Sequence, residues 1–337
     1  MKQNLRAVKP VLSILAAAAA VWMQPAAAQV DPSRMVNAFE IAGGKFDGFR
    51  RSGAKGVCAT GEFVGSAEGR ALSVSSAFSG KPVPVTVRFS MGGGNPKAPD
   101  NAKSQRNMAL EFDLPGGERW QMGNISAPIF GAATPEQLLG RLESLAPDPE
   151  TKKPNPDKVK AFAEANPEVL MQGKYFAGQP VPASFGKVNY WGVHAFGFVD
   201  AAGKKQFGKW LFEPVGGTQG LTDDEAKAKG TDFLFDEIRQ RVAAGGVAFD
   251  FNVQLAQAGD KVESAVTPLP EDRKKVTLGR LVVKSVSADA TGACLAVNYN
   301  PMNLPKGVEP SADPMLAARA APYAVSLGRR LVEGAKQ

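Results

Sequence analysis

The sequence predicts an α+β fold in which an antiparallel barrel or sandwich carries several surrounding helices. Three observations point there. Long stretches alternate apolar and polar residues, the period of a half-buried strand. They recur at hairpin spacing along the middle of the chain. Helical stretches with recognisable start signals interrupt them, and no internal repeat or low-complexity linker divides the chain.

The clearest strand signals are residues 85–90 (VTVRFS), 108–114, 194–199 and 249–255, with 207–215, 279–286 and 293–299 as further candidates. Residues 201–204 (AAGK) have the composition of a turn between two strands. Thr134 followed by Pro135 opens a helix, with threonine as cap and proline at the first position. A second helix is expected from Asp157 to about Met171, and a third from Thr231 to Ala244, stopped by Gly245 and Gly246. The last is expected from Asp313 to Ala335, kinked at Pro322, which cannot donate a backbone hydrogen bond.

Residues 1–28 read as a secretory signal peptide. Lys2, Arg6 and Lys9 precede an alanine-rich apolar run from Val11 to Met23, then Pro25 and three alanines ending at Ala28. That run is shorter than the roughly 20 residues needed to span a bilayer. The expected mature chain, 29–337, is a single domain with no membrane span, and its export suits a periplasmic location. The leader holds three basic and no acidic residues, so processing lowers the formal charge from +7 to +4. This small, dispersed surplus does not argue for nucleic acid and suits an anionic small ligand. An oxidising compartment would let Cys58 and Cys294 pair; two buried free thiols are the alternative. Pairing is the expectation, since both lie in strand-like segments. The glycine-rich turn at 92–96 lacks the lysine and following helix of a phosphate loop.

Arg319 and Tyr323 stand four apart on the last helix and share a face, with Arg330 two turns further on. A guanidinium against a phenol oxygen favours the phenolate, a hard anionic ligand suited to ferric iron. The spacing is common, and its bland alternative is surface packing. The context is more specific. Residues 298–311 (NYNPMNLPKGVEPS), then 313–319 (DPMLAAR) and Tyr323, resemble the segment leading into the haem helix of catalases, in particular the short catalase-related peroxidases of bacteria. Four more blocks match in order: 50–56 (RRSGAKG), 86–90 (TVRFS), 126–130 (SAPIF) and 191–198 (WGVHAFGF). The resemblance runs from about Lys45 to Arg330, and the chain stops short of the helical C-terminal region of full-size catalases.

This resemblance implies a catalase-like antiparallel barrel of about eight strands, with haem b bound between barrel and C-terminal helix. It implies Tyr323 as axial ligand to ferric iron, Arg319 as its partner, and Arg50, Arg88 and Arg330 as propionate ligands. It also implies a monomer or dimer rather than an intertwined tetramer. The distal side departs from the family. Where catalases read His-Ala-Lys-Gly, this chain has Gly53, Ala54, Lys55 and Gly56. The missing histidine is the family's general base, a group worth roughly 10²–10⁴-fold in rate. Ser126 falls on the distal asparagine position, and its hydroxyl is expected to orient peroxide or water. Asn107 stands where the family usually has glycine, and asparagine tolerates a left-handed turn. The sole histidine, His194, falls on a barrel strand and is expected to be structural. The expected function is a slow haem peroxidase using hydrogen peroxide or organic peroxides and small organic donors. The alternatives are a non-enzymatic haem binder or sensor, and rearrangement of lipid hydroperoxides in a distal pocket enlarged by glycine.

Overall fold

The computed structural model of the chain describes residues 30–289 and 291–335; the segment 1–28, expected to be a leader, lies outside them. Eight antiparallel strands close into a barrel: β1 (Gly56–Gly65), β2 (Pro82–Met91), β3 (Arg106–Asp113), β4 (Arg119–Ile125), β5 (Tyr190–Val199), β6 (Lys205–Pro214), β7 (Ala248–Leu255) and β8 (Lys275–Ala288). Each pairs with the next and β8 returns to β1, so every long edge is satisfied. The seam between β4 and β5 is narrow, with Ile125 opposite Trp191. A short edge strand, β9 (Val308–Pro310), adds to β5.

Side-chain alternation sorts the barrel's two faces. On β3, Met108, Leu110 and Phe112 are fully buried and point inward, while Asn107, Ala109 and Glu111 take the outer face. The interior is filled mainly by aromatic rings: Phe212 stacks on Phe251 at 4.5 Å and Phe196 on Trp210 at 4.0 Å. Each such buried ring contributes about 1.5–3 kcal/mol. The interior is therefore packed solid, and any ligand site must lie outside it.

Helices cover the outer wall of β2–β4. Helix α1 (Pro32–Gly43) is capped by Asp31, which accepts the Arg34 N–H at 2.6 Å. It packs against α2 (Pro135–Ser144) and the C-terminal α4 (Ala320–Gly334), while α3 (Phe233–Ala243) lies against β8. Thr134 caps α2 as expected, accepting the Gln137 N–H.

Three expected elements differ. The helix from Asp157 becomes Pro156–Ala165 and Met171–Ala177, parted at Asn166, whose backbone is turned out of the helical region before Pro167. Pro322 does not kink the last helix. The interruption falls earlier, at 318–319, so Pro322 sits in the first turn of α4, where a backbone donor is not needed. Residues 293–299 form a short 3₁₀ turn and irregular backbone instead of a strand. Their carbonyls are taken by arginine side chains rather than by a ladder.

Candidate active site

A solvent-open cleft lies between the outer face of β2–β4 and helices α1, α2 and α4. Gly53, Arg50, Arg88, Arg319, Tyr323 and Arg330 all line it. Residues spread over 280 positions of sequence are thus brought together as expected, with Ser126 the exception.

On one wall, Arg319 Nη2 donates to Tyr323 Oη in a close contact, and the guanidinium carbon lies 5.2 Å from the ring centre. Gly123 of β4 permits this approach: a Cβ there would lie 2.9 Å from Nη2. Arg319 Nη1 donates to His194 Nε2 at 3.1 Å, and His194 Nδ1 pairs with Asp313 Oδ2 at 2.7 Å. A guanidinium carries only donors, so Nε2 must accept and the imidazole proton sits on Nδ1. Asp313 is fixed in turn by accepting the Met315 N–H. Burial lowers the His194 pKa; the Asp313 bond opposes this and the Arg319 cation adds to it. Lys209 adds a more distant cation; burial draws its own pKa down to about 8, and the Ser264 and Thr267 carbonyls accept from it. The result is a line, Asp313–His194–Arg319–Tyr323, buried at its first two members and half-buried where it reaches the cleft. His194 orients Arg319 and is more than a wall residue. An irregularity in the β5–β6 pairing between Trp191 and Ala195 lets Val193 line the cleft and its neighbour reach Arg319.

At one corner three guanidinium groups converge. Arg88 makes a two-point pair with Asp289, at 2.7 Å for each bond. Arg50 donates to the carbonyls of Cys294 and Val297 and lies over the Tyr299 ring. Arg330 donates to the Leu295 carbonyl at 2.6 Å. Burial, then repulsion from Arg88 and Arg330, brings the Arg50 pKa down to about 9. Burial, then repulsion from Arg88, lowers that of Arg330. Burial works to raise the Asp289 carboxyl, but the Arg88 bond and the three cations outweigh it and hold it below the ordinary value. Three cations thus face one carboxylate. Arg50 Nε, Arg330 Nη2 and Tyr299 Oη are buried without a partner among the described residues. Tyr299 stands within the catalase-like stretch, yet its place in the cleft was not foreseen.

Cys58 and Cys294 form a disulfide, joining β1 to the 293–297 segment. That segment supplies the carbonyls accepting from Arg50 and Arg330. The cross-link therefore pins the framework of the arginine corner. Arg51 anchors the other flank through Glu40 at 2.7 Å and Glu333 at 2.8 Å.

On the opposite wall Gly53 has φ +67°, a left-handed backbone that side-chain-bearing residues seldom adopt. A Cβ built there would lie 2.9 Å from Ser90 Oγ and 3.5 Å from both Arg88 Nη1 and Asn107 Nδ2. Ser126 is absent from this cleft. Its hydroxyl accepts the Arg106 N–H at 2.9 Å, and its side chain lines a separate, smaller cavity. At the end of β4 the cleft is lined by Gly123, Asn124 and Ile125, the last opposite Asn107, and the lining stops short of Ser126. Asn107 forms no left-handed turn. It is an extended residue of β3, and its amide joins the polar rim beside Gly53.

The donor set fits a flat macrocycle bearing two carboxylates and a central metal. The corner carries two positive charges in excess, the phenol is held by a cation, and apolar side chains such as Val36, Leu138 and Leu327 line the cleft between.

A family model described as Catalase matches residues 49–337. The chain is 39% identical over 305 residues to a catalase-related peroxidase of Synechococcus elongatus, covering 90% of each protein. It is 31% identical over 302 residues to a catalase-related peroxidase of Mycolicibacterium paratuberculosis, covering 89% of this chain and 94% of the relative. A crystal structure of a fungal catalase superposes with a TM-score of 0.76 at 21% identity, covering 86% of this chain and 60% of that one. By sequence and by fold, the chain belongs to the catalase family.

Proposed function

We propose that the chain is an exported haem peroxidase that reduces hydrogen peroxide or organic peroxides with small organic donors. The observation that carries the reading is the buried arginine corner, two charges short of neutrality, in the same cleft as an arginine-bonded tyrosine. Arg50, Arg88 and Arg330 would hold the two carboxylates of haem b, and Tyr323 would supply the axial phenolate to ferric iron. Haem, when bound, supplies the redox-active iron on which peroxides are reduced. Arg319 holds the phenol oxygen in place, and His194 and Asp313 keep Arg319 aimed. Anionic ligation of this kind favours oxidised iron over reversible oxygen carriage. Relatives named as catalase-related peroxidases support the activity class. The leader at 1–28 and the disulfide support export to the periplasm.

Gly53 carries no acid–base group, so proton movement on that wall falls to hydroxyl groups or water, and turnover is slow. The test is peroxide-dependent oxidation of a dye by the haem-reconstituted protein, with oxygen release measured beside it. The expected result is dye oxidation exceeding oxygen release. Haem uptake with neither activity would instead support a binder or sensor, the reading that the missing base favours.

A further inference from the structure

A directed chain of hydrogen bonds runs along the rim beside Gly53. Gln105 Nε2 donates to Asn107 Oδ1 at 2.6 Å, and Asn107 Nδ2 donates to Ser90 Oγ at 3.2 Å and to the Met91 carbonyl at 3.1 Å. The Met91 carbonyl can only accept, which fixes the Asn107 amide, and through it the Gln105 amide. All three side chains line the cleft. Ser90 accepts from Asn107, and its own proton has no protein acceptor among the described residues. A donor that itself accepts a hydrogen bond is polarised toward stronger donation.

The space this hydroxyl borders is the volume that any side chain at position 53 would fill, since a Cβ there would lie 2.9 Å from Ser90 Oγ. Arg88 Nη1 stands 3.5 Å from the same point and makes the potential positive. A small ligand in that volume meets a neutral hydroxyl donor beside a cation. Peroxide, or its monoanion, has that chemistry.

Resting on the peroxidase reading, we propose that Ser90 is the hydrogen-bond donor to the distal ligand, exposed to it by Gly53 and positioned by Asn107 and Gln105. The chain runs one way, from Gln105 through Asn107, and ends on the Ser90 hydroxyl, whose proton is still to place. It replaces an imidazole on the loop by a hydroxyl on the barrel strand. Ser90 binds and orients the ligand; Asn107 and Gln105 act through it.

Fluoride, a small anion that accepts hydrogen bonds, is the probe. The full-length mature protein is reconstituted with haem, and fluoride binding is followed by absorption. Ser90→Ala is expected to weaken fluoride about tenfold, the scale of one lost hydrogen bond to a charged group. Haem uptake and the tyrosinate spectrum should not change. Ser90→Thr should keep wild-type affinity, and Asn107→Leu should weaken fluoride less than Ser90→Ala. Gly53→Ala, which walls off the hydroxyl, should weaken fluoride as Ser90→Ala does. Equal fluoride affinity in wild type and Ser90→Ala, with haem uptake intact, overturns the assignment alone. A wild-type protein that takes up no haem overturns the peroxidase reading and this assignment with it.

Discussion

The two walls of the cleft are built in opposite ways. Around Tyr323 the polar groups form one line: Asp313, His194 and Arg319 each hold the next, and the line ends on the phenol. Around Gly53 the wall is a bare left-handed glycine beside a hydroxyl whose proton is unplaced. The first wall is preorganised to hold one phenol oxygen in one place. The second is a space with a donor at its edge. In the proposed peroxidase the two walls would divide the work, one holding the cofactor and the other meeting the substrate.

The largest expected effect tests the framework shared by both walls. Replacing Cys58 and Cys294 by serine opens a cross-link spanning 236 residues of sequence. Loop closure of that length is worth about 5 kcal/mol in the chain-entropy model, so thermal unfolding should shift down by many degrees. Haem affinity should fall further than in a variant of equal stability mutated in the barrel core, because the 294–297 carbonyls lose their anchor. An unchanged haem affinity would separate the arginine corner from the disulfide.

Breaking the Tyr323 wall comes next. Arg319→Ala leaves His194 Nε2 and Tyr323 Oη without their shared donor, and losing a hydrogen bond to a charged group costs about 1.5–3 kcal/mol. Peroxidase activity should fall at least tenfold and the tyrosinate spectrum should change. If both persist, the Asp313–His194–Arg319 line does not control the phenol. Gly53→His probes the open wall. The left-handed backbone costs a non-glycine residue about 1–2 kcal/mol, and Ser90 must shift to admit a Cβ. The variant should therefore lose stability and gain little activity; full, catalase-like activity would show that the open wall tolerates the base after all.

The smallest effect is pH dependence. The folded His194 has a lowered pKa, chiefly through burial, so between its folded value and the unfolded value near 6.5 the unfolded chain binds the extra proton. Stability from neutral His194 is then fully present above about pH 6.5 and declines as pH falls toward the folded value. Asp313, Arg319 and Lys209 are the charged groups acting on it. Unfolding midpoints from pH 8 to 5 should drop in the wild type more than in His194→Gln; parallel curves would remove His194 from the account.

Much of this was legible in the chain. Alternation marked most barrel strands, including the outer-face positions of Arg88 and Ser90, and catalase-like spacing brought the arginines to Tyr323. What was not legible depended on which way a residue faces. Ser126 lies one position beyond Ile125, where the cleft lining stops, and its side chain lines a separate cavity. His194 could not be assigned a partner because Asp313 is 119 residues away and a strand irregularity re-aims it. Residues 293–299 have strand-like composition, yet a disulfide and two arginines consume their backbone, a tertiary demand that overrides local preference. Gly53 was legible as a glycine at the expected distal position. That Gly53 stands against Ser90 needed coordinates, because the two lie far apart in sequence and meet only in the folded cleft.

The most direct test of the central claim is the absorption spectrum of the haem-reconstituted protein beside Tyr323→Phe. The wild type should bind haem and show the spectrum of a ferric tyrosinate, and Tyr323→Phe should lose that signature while the arginine corner still binds the carboxylates. An identical spectrum in both proteins would contradict the account, because the iron would then be held by something other than the Arg319-bonded phenol.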